Sequence, residues 1–240
     1  MRVLDLDLDF FLADCCPLAP LGGRPELLGH EPWAEEEVRA FLEELCHLSR
    51  TRKTPGRLYE THDGSLRFWD EQIKAGALAP PFEVHHIDAH SDLGIGRPGP
   101  DFVLQSVLSQ HPSRRADLAC YYDSVQLDEA NYLLFALGFR WVSALVNVRN
   151  PRSRPDIPAK IALQDEQGSY RALLLRSPVS ALFEGVNGKE PVVPFAVYAD
   201  WREYAAPGPF DFVTAARSPR YAPAAADALF EVIREYVEEM

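Results

Sequence analysis

No stretch of this sequence approaches the roughly 18 consecutive apolar residues that a membrane span requires. Its opening residues, Met-Arg-Val-Leu-Asp, offer no apolar signal segment. Both absences predict a cytoplasmic chain with no membrane partner. Cysteine is scarce, and Cys15, Cys16, Cys46 and Cys120 have no C-x-x-C spacing. That argues against a thiolate zinc site or a disulfide framework and predicts reduced thiols. Basic residues are in deficit, 24 against 36 acidic, for a net charge of -12. A phosphate-backbone binder needs a cationic face, so no nucleic-acid partner is expected. An acidic surface suits a cationic substrate or metal ions. Internal repeats, low-complexity tracts and a clear linker are missing too, so residues 1–240 read as one domain. The sequence is as compatible with an oligomer as with a monomer.

What is present is a regular alternation of elements. Residues 3–9, Val-Leu-Asp-Leu-Asp-Leu-Asp, alternate with strand period. A long loop follows to about residue 33. Apolar Val38, Phe41, Leu42 and Leu45 then recur at helical spacing between Glu35 and Leu48. The Pro-Gly-punctuated 50–57 stretch reads as a connection, and a helix is expected from Asp63 or Ser65 to Lys74. Phe82 to Asp88 reads as a buried strand, followed by a loop at 94–100 and a short helix near 101–109. A helix over 126–137 precedes a strand at 140–148, with later strands near 170–176, 193–199 and 210–216. An amphipathic helix from Pro223, carrying Leu229, Val232, Ile233 and Val237, closes the chain. Strands alternating with helices predict an α/β fold with a mostly parallel sheet covered on both faces.

Two segments carry the chemistry. Asp5, Asp7 and Asp9 fall on one face of the first strand. Alternation alone fits either an edge strand with a solvated acidic face or a buried strand end that holds cations. Apolar residues between the aspartates and Phe10-Phe11 after them favour burial, where unpaired carboxylates would each cost several kcal/mol. The second segment, Val84-His-His-Ile-Asp-Ala-His-Ser-Asp-Leu93, sets Asp88, His90 and Asp92 two residues apart where a strand runs into a glycine-bearing loop. Ligands in open α/β sheets collect at such carboxyl ends. Carboxylate and imidazole donors without thiolate suit manganese or iron(II) and also admit zinc.

Asp88-Ala-His90-Ser-Asp92 resembles the D-A-H-x-D signature of the ureohydrolases, the arginase-like superfamily, and Asp5-x-Asp7-x-Asp9 is similar to their S-x-D-x-D strand. The order is permuted, because arginases carry that strand late. The pattern looks like that of an atypical arginase-like family with D-x-D-x-D-[FY]-F, H-[DE], H-x-D-x-H-x-D-L and E-x-N. Those match Asp5 to Phe11, His62-Asp63, His86 to Leu93 and Glu129-Ala-Asn131, with the 215–221 segment as a further candidate. Its members include peptide arginases, which convert arginine to ornithine in ribosomally made precursor peptides.

The resemblance implies a three-layer α/β/α arginase/deacetylase-like fold and two manganese ions. It implies Asp7, Asp9, His62, Asp88, His90 and Asp92 as ligands, with Asp88 bridging and Asp5 replacing one of the first-strand aspartates in the alternative register. Two such ions would activate a water to attack the guanidinium carbon, expelling urea. Glu129 and Asn131 are candidates for holding substrate, with Glu129 and His86 candidates for catalysis. The proton donor is left unassigned; His111 is the nearest histidine after the 88–92 motif. Asp200 is a further carboxylate at a strand end. Residues gripping a free amino acid's carboxylate are not evident in 94–100, which favours an arginine-containing peptide as partner, with the 12–33 loop as one wall of its groove.

Competing readings are weaker on the residues. Val3-Leu4-Asp5-x-Asp7 resembles the first motif of haloacid-dehalogenase-type phosphatases, but that leaves Asp9 and Asp88-x-His90-x-Asp92 unexplained. Free arginine, agmatine or an acetylated amine are alternative substrates on the same fold. A non-catalytic metal-binding protein needs the same ligands and no turnover.

Overall fold

The alternating N-terminal segment becomes a central strand. In the computed structural model, which describes residues 1–94, 99–178 and 190–240, the strands are β1 (Arg2–Asp7), β2 (Thr54–Tyr59), β3 (Phe82–Asp88), β4 (Val142–Arg149), β5 (Ala162–Gln164), β6 (Tyr170–Leu174), β7 (Val192–Tyr198), β8 (Phe212–Ala216) and β9 (Val237–Glu239). They form one nine-stranded sheet in the order β5-β6-β7-β4-β3-β1-β8-β2-β9. From β7 across to β9 every pairing is parallel. The β5-β6-β7 edge is antiparallel.

The helices are α1 (Glu35–Ala40, continued by a wider turn to Leu45), α2 (Gly64–Lys74), α3 (Pro100–Phe102, continued to Val107), α4 (Leu118–Asp123), α5 (Tyr132–Gly138) and α6 (Asp227–Arg234). Strand periodicity divides the core between them. Val3, Val84 and Phe212 pack with Leu66, Phe68 and Trp69 of α2 and with the apolar residues of α5. Leu4, Leu6, Ile87 and Val213 pack on the opposite face, with Val38 and Phe41 of α1 and Leu229, Val232 and Ile233 of α6. The sheet is therefore covered on both faces, in three layers, as the alternation of elements predicts. Among the described residues no helix is long and apolar enough to cross a membrane.

Four expectations need correction. The first strand stops at Asp7, because the Asp7 carboxylate accepts a hydrogen bond from Asp9 N (3.1 Å) and turns residues 8–11 into a 3₁₀ turn. The connection at 50–57 contains β2, despite Pro55 and Gly56. A Cβ on Gly56 would lie 1.8 Å from the Val213 carbonyl oxygen, so glycine is what lets β2 approach β8. The helix expected over 126–137 begins only at Tyr132, with α4 a separate helix before it. The C-terminal helix ends at Arg234, and Val237 belongs to β9.

Candidate metal centre

Parallel pairing brings the carboxyl ends of β1 and β3 side by side, with Leu6 opposite Ile87. One residue further, Asp7 and Asp88 end their strands, and one layer below lies a polar row. There Asp5 is opposite His86 on β3 and Thr214 on β8, and His86 is opposite Asn147 on β4. This row faces α2 and α5, where His62, just before α2, and Tyr132, opening α5, close over it.

Asp5 is wholly enclosed and saturated. It accepts hydrogen bonds from Thr214 Oγ1 (2.7 Å) and from the Tyr132 hydroxyl, and is bonded to His86 Nδ1 (3.1 Å). His62 Nε2 lies 3.3 Å from its other oxygen. Burial alone would raise its carboxyl pKa, but His62 and His86 outweigh it and hold Asp5 ionised, well below the usual carboxylate range.

Above Asp5 the carboxylates converge. His62 Nδ1 sits 3.0 Å from Asp88 Oδ2, 3.1 Å from Asp92 Oδ2 and 3.1 Å from Asp7 Oδ2. His86 Nε2 lies 3.3 Å from Asp88 Oδ2 and 3.9 Å from Asp92 Oδ2. On the outer side, His90 Nδ1 is 2.9 Å from Asp9 Oδ2 and 3.5 Å from Asp88 Oδ1. Backbone donors hold the aspartates in place: Ala89 N bonds Asp9 Oδ1 (3.2 Å) and His90 N bonds Asp88 Oδ1 (2.6 Å). Ser218 donates its hydroxyl hydrogen to Asp7. Asp92 and Ser218 both have left-handed backbones, φ +49° and +46°. Such conformations cost on the order of 1–3 kcal/mol and concentrate at functional sites.

These side chains form two overlapping groups that could hold a metal ion, His62-His86-Asp88-Asp92 and Asp9-Asp88-His90, with Asp88 common to both. The electrostatics fit that reading. Burial first, then Asp7 and Asp88, push the Asp9 carboxyl up to about 8. Burial and Asp88 push Asp92 up to about 8. Burial opposes charge on His62 and His90, yet the surrounding aspartates raise both well above the usual imidazole range. Without a cation, protons must supply the positive charge here. The donor geometry fits as well: both His62 nitrogens and His86 Nε2 are buried without a hydrogen-bond partner, a rarity among buried polar atoms.

The cluster opens into a cleft of about 170 Å³. Asp7, His62, Asp88, His90 and Asp92 line its floor, and Glu129, Asp156, Ser218 and Tyr221 form its walls. Glu129 approaches Arg220 (3.5 Å), and burial keeps its carboxyl pKa raised despite that cation. The 12–33 loop reaches the same wall, where Ala19 N bonds Arg220 O (2.9 Å) and Arg220 Nε returns a bond to Ala19 O (3.1 Å).

Other expected residues lie elsewhere. Asn131 does not line the cleft; it is buried, its Oδ1 accepting from Asp128 N (3.0 Å) and its Nδ2 donating to Gln126 O (3.0 Å). His86 lies beneath the cleft floor, in contact with the Asp88 carboxylate instead of solvent. His111 is bonded to Ser113 at a surface turn, and Asp200 caps the turn at Trp201–Glu203. Of the 94–100 loop, residues 95–98 lie outside the described residues.

Ser218 and Tyr221 fall in the 215–221 segment that the sequence offers as a further candidate, without being singled out there. One wall residue, Asp156, escapes sequence reasoning. Asp156 follows Pro155 in a loop with no motif. It binds Ser91 N (2.8 Å) and Arg149 (2.6 Å), and so braces the loop after β3. Comparison with protein-family models and with curated proteins finds no match to this chain.

Proposed function

We propose that this chain hydrolyses the guanidinium of arginine side chains in a peptide, giving ornithine and urea, with two manganese ions as cofactor. Asp7, Asp9, His62, Asp88, His90 and Asp92 would hold the ions, with Asp88 between them and Asp5 left to orient the histidines. The single observation that carries the reading is the pair of donor groups sharing Asp88 at the floor of an acidic cleft. When bound, the ions would supply a water acidic enough to act as nucleophile near neutral pH.

The chain's own residues support that choice of substrate. Cleft-lining carboxylates favour a planar cation, and Glu129 is a fork acceptor for guanidinium N–H groups. Among the described residues that line the cleft there is no lysine or arginine, so none of these offers a cationic partner to the carboxylate of a free amino acid. An arginine whose carboxylate is tied up in a peptide bond avoids that difficulty.

Metal-stripped protein reloaded with manganese and incubated with an arginine-containing peptide tests this. The expected result is a loss of about 42 Da per modified arginine, with urea released. Faster turnover of free arginine or agmatine overturns the peptide preference. Release of acetate from an acetylated amine favours deacetylase-type chemistry. Ion binding without turnover of any of these favours a non-catalytic metal protein.

A further inference from the structure

His86 has no ligand role in the six-residue set above, yet its geometry is that of a ligand. Its imidazole is fully buried. Nδ1 is bonded to Asp5 Oδ2 at 3.1 Å, with the Tyr132 hydroxyl 3.3 Å away. That bond commits Nδ1 to Asp5 and leaves a ligand role to the other ring nitrogen. The opposite nitrogen, Nε2, faces Asp88 Oδ2 and Asp92 Oδ2 at 3.3 and 3.9 Å and makes no hydrogen bond. His62 stacks alongside, ring centroids 5.1 Å apart, and turns Nδ1 toward the same two oxygens. Two imidazole nitrogens therefore address one pair of carboxylates, and Asp5 lies behind both rings.

We infer that His86 Nε2 is a metal ligand, and that the two ion positions differ in kind. The inner position takes two imidazoles, from His62 and His86, and the carboxylates of Asp88 and Asp92, with Asp7 Oδ2 beside them at 3.1 Å from His62 Nδ1. The outer position takes one imidazole and two carboxylates, from His90, Asp9 and Asp88. Imidazole suits zinc and iron(II), while carboxylate-rich sets suit manganese. When zinc is offered, the imidazole-rich inner position is thus the one that fills first, and the outer one, with a single imidazole, holds zinc more weakly. Asp5 is a positioning residue: it fixes the His86 tautomer and ring plane and touches no ion. This inference rests on the two-ion reading above.

Calorimetric titration of metal-stripped protein with zinc, checked by metal analysis, separates the outcomes. Wild type is expected to bind two equivalents in separate tight and weak phases. His86→Gln should lose the tight phase and keep one weak equivalent. Asp5→Asn should keep both equivalents with the tight one weakened about 10–100-fold, the range for residues that orient a metal-binding histidine. His86→Gln binding both equivalents as wild type does would overturn the ligand role. Wild type binding no ion would overturn the two-ion reading itself. X-ray absorption on wild type carrying one equivalent of zinc needs no variant to fold. Two imidazoles per zinc are expected, and a single imidazole would overturn the inference.

Discussion

His85 and His86 are neighbours on β3, both buried, and they face opposite sides of the sheet. His85 points toward α1 and α6, where Nδ1 meets the Tyr204 hydroxyl at 2.7 Å and Nε2 meets Glu83 at 2.8 Å. Phe210 packs edge-on against its ring. Both nitrogens are satisfied by protein, and burial lowers its pKa further than Glu83 can restore. His86 is buried at least as deeply, but Asp88, Asp5 and Asp92 outweigh burial and raise its pKa. One of its nitrogens is left without a hydrogen bond. Burial therefore does not separate the two histidines. The partner of the second nitrogen does.

The largest effect should come from breaking the His86 side at the residue both ion positions share. Asp88→Asn keeps the shape but weakens an oxygen donor to each ion. Losing about 4 kcal/mol of transition-state stabilisation corresponds to about 10³-fold in rate. Metal content should drop below two ions per chain in the same preparation, read by elemental analysis. Full occupancy with full activity would remove Asp88 from the centre.

Next in size is a pH effect confined to the His86 face. In the metal-free protein Asp9 and Asp92 titrate near 8, above their unfolded value of 3.8. Between those limits the folded state binds more protons than the unfolded, so stability falls as pH rises. Raised His62, His86 and His90 act in the same direction above their unfolded value of 6.5. Metal-free protein should thus melt at a higher temperature at pH 5 than at pH 8. Bound ions need deprotonated ligands, so the gain in melting temperature on adding manganese should grow over the same range. Equal melting temperatures with and without metal at pH 8 would contradict the cluster's role as a cation site.

On the other face, His85→Leu should cost stability and leave the metal alone. It removes hydrogen-bond partners from Glu83 and the buried Tyr204 hydroxyl, worth about 1–3 kcal/mol. Urea unfolding should register that loss while metal stoichiometry stays at the wild-type value. A change in stoichiometry would mean that the two faces are coupled through β3.

Much of the fold around the site is legible in the residues, and the limits have physical causes. The Val-Leu-Asp alternation identifies β1 and gives Asp5 and Asp7 their common face, because strand period is independent of tertiary context. It cannot show that Asp7 turns the chain through its own side chain and so carries Asp9 off the strand. Pro55 and Gly56 hide β2, because the close approach of β8 that makes glycine useful there is a long-range fact. β9, three residues long, owes its existence to pairing with β2 rather than to its own pattern. Asp88, His90 and Asp92 are local and readable. That Asp5 is enclosed by Thr214, Tyr132, His62 and His86 depends on four separate elements and is not.

The smallest expected effect separates Glu129 from Asn131, two residues apart and paired as candidates for holding substrate. Only Glu129 lines the cleft. Asn131 bridges Gln126 O and Asp128 N, and Asp128 in turn accepts from Ala130 N (3.1 Å), so its amide shapes the turn that presents Glu129. Glu129→Gln should lower kcat/KM on a peptide by about 10–100-fold, the equivalent of roughly 1.4–2.7 kcal/mol, with little change in stability. Asn131→Ala strips the turn of the bonds to Asp128 N and Gln126 O and should cost about 1–3 kcal/mol of stability. Its kinetic effect should be secondary, a few-fold rise in KM from a loosened Glu129 with kcat retained. If Asn131→Ala instead matches Glu129→Gln in kcat/KM at unchanged stability, Asn131 reaches the substrate, and the turn rearranges on binding to expose it.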